Sequence, residues 1–128
     1  MNNVQTTGKD WWRAAAAGIP HLITETPGPR SKQMHANTAK YMKGLSSQVK
    51  LFPVCFEEGS GIALTDVDGN KYLDFSSGIY VTSLGHCHPK ISEAIAYWAR
   101  KLMNAHDFTT PVKEKLMEKM ASILPGKL

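Results

Sequence analysis

The sequence predicts an α/β chain made of a helical arm, a small antiparallel sheet and two further helices. Three observations carry that expectation. Apolar residues alternate on both sides of an Asp-Gly turn signal between Gly61 and Phe75. An amphipathic stripe opens at Pro89, and a second opens at Thr110–Pro111. The divisions that follow are 1–48 for the arm, 49–75 for the strands, and 76–128 for a loop and the two helices.

Met1 to Lys9 is polar and is expected to fray. The run "DWWRAAAAG" has a capping acid in Asp10 and a stop in Gly18, so a short helix is expected there. In "TETPGPRSK", Pro27 and Pro29 restrict the backbone on both sides of Gly28 and argue against regular structure. Ser31 is the expected cap of a second helix through about Lys43, ended by Gly44, with Met34, Thr38, Tyr41 and Met42 loosely sharing a side. "PVCFEEG", "GIALTD" and "KYLDF" are then expected strands, with "DVDGN" turning the second into the third. Three short strands make a marginal core alone, so they call for a neighbour. From Pro89, Ile91, Ile95, Trp98, Leu102 and Ala105 step by four, three, four and three, which is helical spacing. The last helix has Pro111 at its first position, is expected to bury Val112, Leu116, Met120 and Ile123, and stops at Pro125-Gly126.

The net charge of +4 invites a nucleic-acid partner, but the basic residues alternate with acids, as in Lys113-Glu114-Lys115, and form no stripe. Nucleic-acid binding is therefore not expected. Two cysteines, Cys55 and Cys87, are too few for a disulfide scaffold and fit a reducing compartment. The most apolar early run, Ala14 to Ile23, is broken by Gly18, Pro20 and His21, so no membrane span is expected. A cytoplasmic location is the expectation.

The chemistry-bearing residues leave several readings open. His86, Cys87 and His88 are a thiol and two imidazoles, a zinc-type donor set, with Cys55 and His106 as further candidates. Adjacent residues in a turn aim their side chains apart, however, and a structural turn explains the motif without metal. Cys87 as a nucleophile needs a base oriented by an acid, and no acid is evidently placed for either histidine. Asp66 and Asp68 suggest calcium, but the loop lacks the further acids and the closing glutamate, so turn chemistry suffices. Gly28-Pro29-Arg30-Ser31 is able to hold an anion at a helix start, though capping by Ser31 needs no ligand. Trp11-Trp12 reads as an anchor onto a partner surface. Gly78-Ile79-Tyr80, where a strand runs into a loop, is a common setting for a pocket wall. No catalytic constellation is complete on these grounds.

The ordered string "GIALTDVDGNKYLDFSSGIYVTSLGHCHPKISEAI", followed by "LMEKMASILPGKL", resembles the N-terminal portion of class III (subgroup II, fold type I) pyridoxal-phosphate-dependent aminotransferases. "TETPGPRSKQM" is similar to the matching segment of 4-aminobutyrate aminotransferases, and the resemblance runs from about Thr24 onward. It implies a helical arm, small-domain strands and the start of a large parallel-sheet domain. The implied activity is transfer of an amino group from an ω-amino acid or amine to a 2-oxo acid, by a homodimer that uses pyridoxal 5'-phosphate. It further implies that Ile79 and Tyr80 wall the substrate pocket, and that Phe108 and Thr109 reach the active site across the dimer interface. The segment from Gly85 to Pro89 is implied to be chiefly structural. The family's phosphate cradle and Schiff-base lysine would follow "LPGKL", so no catalytic residue is expected here and the chain alone is expected to be inactive: a fragment, a nicked product or one half of a split enzyme. The rival expectations are a non-catalytic interaction module and a Cys/His metal or redox site.

Overall fold

In the computed structural model, residues 17–42, 44 and 46–126 are described, and the chain divides after Pro89 into two compact units. The helix expected from Asp10 lies outside the described residues, as does Trp11-Trp12; Gly18 itself lies in a turn at φ +71°.

The first helix, α1 (Pro29–Tyr41), corrects the expectation for the Pro-Gly-Pro segment. Pro29 sits at its first position, where a missing N–H costs nothing because that donor has no partner inside a helix. Its N-cap is Gly28, not Ser31. Ser31 is a fully buried residue within the helix, and its hydroxyl accepts the Cys55 N–H at 3.3 Å. The helix ends at Tyr41, close to the expected stop. A short helix, α2 (Ser47–Leu51), was not expected; the Ser46 hydroxyl caps it by accepting the Val49 N–H.

The three strands are present, shorter than the sequence suggested: β1 (Phe56–Ser60), β2 (Ala63–Asp66) and β3 (Lys71–Leu73). They form one antiparallel meander in the order β1-β2-β3. Gly59 opposes Leu64, and Leu64 opposes Tyr72. The β2–β3 turn uses Gly69 at φ +88°, the left-handed conformation that an Asp-Gly signal anticipates. Residues of the N-terminal segment join the same unit, because His21 and Lys71 exchange backbone hydrogen bonds of 3.0 and 2.7 Å.

The interior of this unit is mainly polar. Among the described residues the buried apolar side chains are Ala63 and Val67, whereas Ser31, Asp66 and Asn70 are buried polar ones. Aromatic edges contribute on one side, with Tyr72 packing edge-on against Phe56 at 5.6 Å and Phe52 at 6.5 Å between ring centroids.

The second unit carries α3 (Pro89–Ala99) and α4 (Pro111–Ile123). α3 stops short of the expected Ala105. Both the Lys101 and Leu102 N–H groups converge on the Trp98 carbonyl, which tightens the last turn, and the Asn104 side chain then takes the His106 N–H. α4 starts as expected, with the Thr110 hydroxyl accepting the Lys113 N–H. Its stripe is where expected but is not buried: Val112, Leu116, Met120 and Ile123 are all exposed. Periodicity identifies an apolar face; covering it needs a surface that these residues do not supply.

Candidate functional site

The pocket-wall candidates Ile79 and Tyr80 lie on one turn, Ser77–Tyr80, wound left-handed. Its four residues have φ of +50°, +55°, +58° and +68°. Only Gly78 takes such values freely; for the others the left-handed conformation costs about 1–2 kcal/mol per residue, and a β-branched residue such as Ile79 is a marked outlier there. Ile79 and Tyr80 are 81% and 84% exposed.

What holds the turn is Asp74, immediately after β3. One carboxylate oxygen accepts the N–H groups of Ser76 and Ser77, at 2.8 and 3.0 Å. The other lies 2.7 Å from Nε2 of His86. Burial alone would raise the Asp74 pKa, but the His86 hydrogen bond, the two amides and the His86 charge together hold it below the ordinary value of 3.8. The turn closes on itself through Ile79 N–H to the Ser76 carbonyl, Thr82 N–H to the Ser77 carbonyl, and the Ser83 hydroxyl to the Tyr80 carbonyl.

His86 is fixed from behind by the sheet. Its backbone exchanges hydrogen bonds of 2.8 and 3.0 Å with Gly61. Its ring lies over Gly59, where an added Cβ would come within 2.9 Å of the His86 Cβ and Cγ. The Gly-His-Cys-His-Pro motif thus clips the segment after the turn onto the hairpin. The sequence offered no acid to orient either histidine; Asp74 supplies one, twelve residues from His86. No spacing rule covers such a separation, and the only hint in the sequence was that both residues border the turn. Cys87 is exposed, at φ +54°. Among the described residues no group of three His, Cys, Asp or Glu side chains is arranged to hold a metal.

The Asp-x-Asp-Gly-Asn motif serves a second set of contacts, and both of its acids are used internally. Asp66 accepts four hydrogen bonds: the N–H groups of Asp68 and Asn70 on one oxygen, the Asn70 amide and the Tyr72 hydroxyl on the other, at 2.7 to 2.9 Å. Burial opposes its charge, yet these donors win and its pKa is lowered. Conversely, burial and the Asp66 carboxylate push the Tyr72 hydroxyl up to about 12. Asn70, fully buried, accepts the Ile23 and Thr24 N–H groups at 2.8 Å each and donates to the Thr24 hydroxyl. Asp68 reaches back 38 residues to cap α1, its two oxygens accepting the Arg30 and Ser31 N–H groups at 2.8 Å. The helix start therefore does hold an anion, and that anion is Asp68. Desolvation works against the Asp68 charge, but these amides outweigh it and lower its pKa. Arg30 completes the clasp by donating to the Val67 carbonyl.

Phe108 and Thr109 belong to the second unit, and both are exposed. The loop before α4 is organised by Lys113, whose ammonium donates to the carbonyls of His106 (2.6 Å) and Phe108 (2.9 Å). In the sequence Lys113 looked like one of several solvated charges. Beside this loop, Ile95, Trp98, Leu102, Met103 and Val112 line an open apolar groove of about 480 Å³.

Comparison with known proteins gives a consistent result. The family model for aminotransferase class-III matches residues 45–128. An acetylornithine aminotransferase of Methanocaldococcus jannaschii is 42% identical over 72 residues, which cover 56% of this chain and 18% of the relative. An acetylornithine aminotransferase from Elizabethkingia anophelis has a structure that superposes with a TM-score of 0.63 at 30% identity, over 73% of this chain and 24% of that one. The structure of an ornithine aminotransferase from Toxoplasma gondii, with partial occupancy of PLP at its active site, superposes with a TM-score of 0.62 at 29% identity, over 73% and 21%. The chain spans about a fifth of the length of these relatives.

Proposed function

The chain belongs to the class-III aminotransferases, and from that membership we propose that it forms the N-terminal part of a pyridoxal-phosphate-dependent enzyme. The reaction is transfer of an amino group from an ω-amino acid or amine, such as 4-aminobutyrate, to a 2-oxo acid. Ornithine, which names the relative from Toxoplasma gondii, carries a terminal side-chain amine, which supports the ω-amine class.

The observation that carries the reading is the match over residues 45–128 together with the outward turn at Ile79 and Tyr80. A large apolar and an amphipathic aromatic side chain, both exposed on a hydrogen-bonded turn, suit the wall of a pocket for an organic amine. The described residues fit the cofactor as a wall rather than as a holder. None of their lysines is buried, and the one helix start occupied by an anion is already filled by Asp68. Pyridoxal 5'-phosphate supplies an electron sink for the reaction, held in this reading by other parts of the enzyme. This chain's share is to orient the amine through Ile79 and Tyr80 and to exclude water from its apolar side. Phe108 and Thr109 would serve the partner's site in a homodimer, and the enzyme would work in the cytoplasm.

Two measurements test this. In the assembled enzyme, Tyr80→Ala should change relative rates across a panel of amines while leaving cofactor affinity nearly unchanged; constant relative rates would refute the pocket wall. The chain alone, supplied with pyridoxal phosphate, should show no amino transfer, and measurable turnover would overturn the division of labour.

A further inference from the structure

The left-handed turn closes with its own hydrogen bonds, but its strained backbone is also held from outside. Three of its four residues are non-glycine at positive φ, and a β-branched residue stands third. Such a segment persists only where its surroundings over-determine it. The determinant is a side chain outside the turn: Asp74 takes the two amides that start the turn, while His86 lies 2.7 Å from its free oxygen and is itself locked to Gly61. Asp74 and His86 are both largely buried, with side-chain exposures of 8% and 21%, whereas the residues they orient are open.

We propose that Asp74, braced by His86, is a positioning residue for amine recognition: it fixes the direction in which Ile79 and Tyr80 project, and so helps to set which amines fit. The inference rests on the pocket-wall reading of Ile79 and Tyr80. It goes further, because it places part of the specificity in a carboxylate that need not touch substrate. The His86 ring acts through Asp74, holding its second oxygen so that the first stays aimed at the Ser76 and Ser77 amides.

The test uses two readouts. In the assembled enzyme, residue-resolved amide exchange at Ser76 and Ser77 is compared for wild type, Asp74→Asn and Asp74→Ala. Loss of a charged acceptor should speed exchange about tenfold or more in Asp74→Ala. Asp74→Asn keeps a carbonyl oxygen and should fall between. In the assembled enzyme, Asp74→Ala should alter the ratio of kcat/KM between amines, chiefly through KM, with partial rescue by Asp74→Asn. Should Asp74→Ala fail to fold, Asp74→Asn and His86→Gln, which keep most of the bulk, carry the same comparison. Unchanged exchange would overturn the proposal. Faster exchange with unchanged amine ratios would also overturn it, and a Tyr80→Ala effect in that experiment would show the pocket wall still stands. If neither Asp74→Ala nor Tyr80→Ala moves the ratios, the pocket-wall reading falls and the inference falls with it.

Discussion

Asn70→Ala is the substitution that probes the first unit most directly. The side chain is fully buried and makes four hydrogen bonds: it accepts from the Ile23 and Thr24 amides and donates to the Thr24 hydroxyl and the Asp66 carboxylate. A neutral hydrogen bond contributes about 1 kcal/mol net, and one to a charged group about 1.5–3 kcal/mol. Their sum, reduced because water can replace the bonds at half-exposed Thr24, is roughly 3–5 kcal/mol. A whole domain is held by only about 5–15 kcal/mol, so this is a large fraction. The loss should be local first, because Asn70 joins residues 46 and 47 positions away, a segment that also meets the sheet through the His21–Lys71 backbone pair and the Ile23 side chain beside Gly69. Residue-resolved amide exchange therefore reads it better than a melting curve. Ile23 and Thr24 should exchange roughly 100-fold faster, as about 3 kcal/mol requires, and protection at His21 and Lys71 should fall as well. Retained protection at Ile23 and Thr24 in Asn70→Ala would show that the buried amide is not what holds the N-terminal segment.

Three further outcomes follow from the same contacts. Gly28→Ala would place a Cβ 2.3 Å from the Asp68 Cγ, so the cap must be displaced; amides of Arg30 and Ser31 should lose protection, and unchanged protection would contradict the close approach. Asp66, Asp68 and Asp74 all have pKa values lowered from 3.8 in the folded chain. Depressed folded values mean that their stabilisation is present above 3.8 and lost as pH falls through the folded values. Acid titration below 3.8 should loosen the clasp and the turn, and protonation of all three carboxylates with no loss of exchange protection at Ser76, Ser77, Arg30 and Ser31 would be inconsistent with this. Tyr72 has the opposite sign: raised from 10.0 to about 12, it stabilises below 10.0 and ceases to do so as pH climbs to about 12. A phenolate absorbance midpoint near 10 for Tyr72 would contradict its bond to Asp66.

Local chemistry made the strands and helix starts legible. Alternation around Asp68-Gly69 located β2 and β3, and prolines at 89 and 111 located the starts of α3 and α4. Local chemistry could not show that Asp68 caps a helix 38 residues earlier, because a cap supplied from afar leaves no mark at Gly28-Pro29. It could not show the Asp74–His86 contact either, for the same reason. In the turn, Gly78 alone advertises positive φ; nothing in Ser77, Ile79 or Tyr80 announces a left-handed conformation imposed from Asp74. The apolar stripe of α4 was legible as a pattern but not as burial, since the period gives a face and says nothing of what lies against it.

These two kinds of contact make the two units respond differently to change. Where the first unit orders its chain, it does so with directional bonds, since Ala63 and Val67 are its only buried apolar residues among those described. Hydrogen-bonded networks specify geometry more than they add net stability, because each bond replaces one to water. The direction of Ile79 and Tyr80 thus depends on a few named polar atoms around Asp74, and a single substitution there can redirect them without emptying a core. In the second unit, Ile95, Leu102, Leu116 and Met117 stand exposed beside one lysine clasp at the 106–108 loop. Non-directional apolar faces take their order from whatever covers them. Phe108 should therefore be far more sensitive than Tyr80 to the surface on which this chain is assembled.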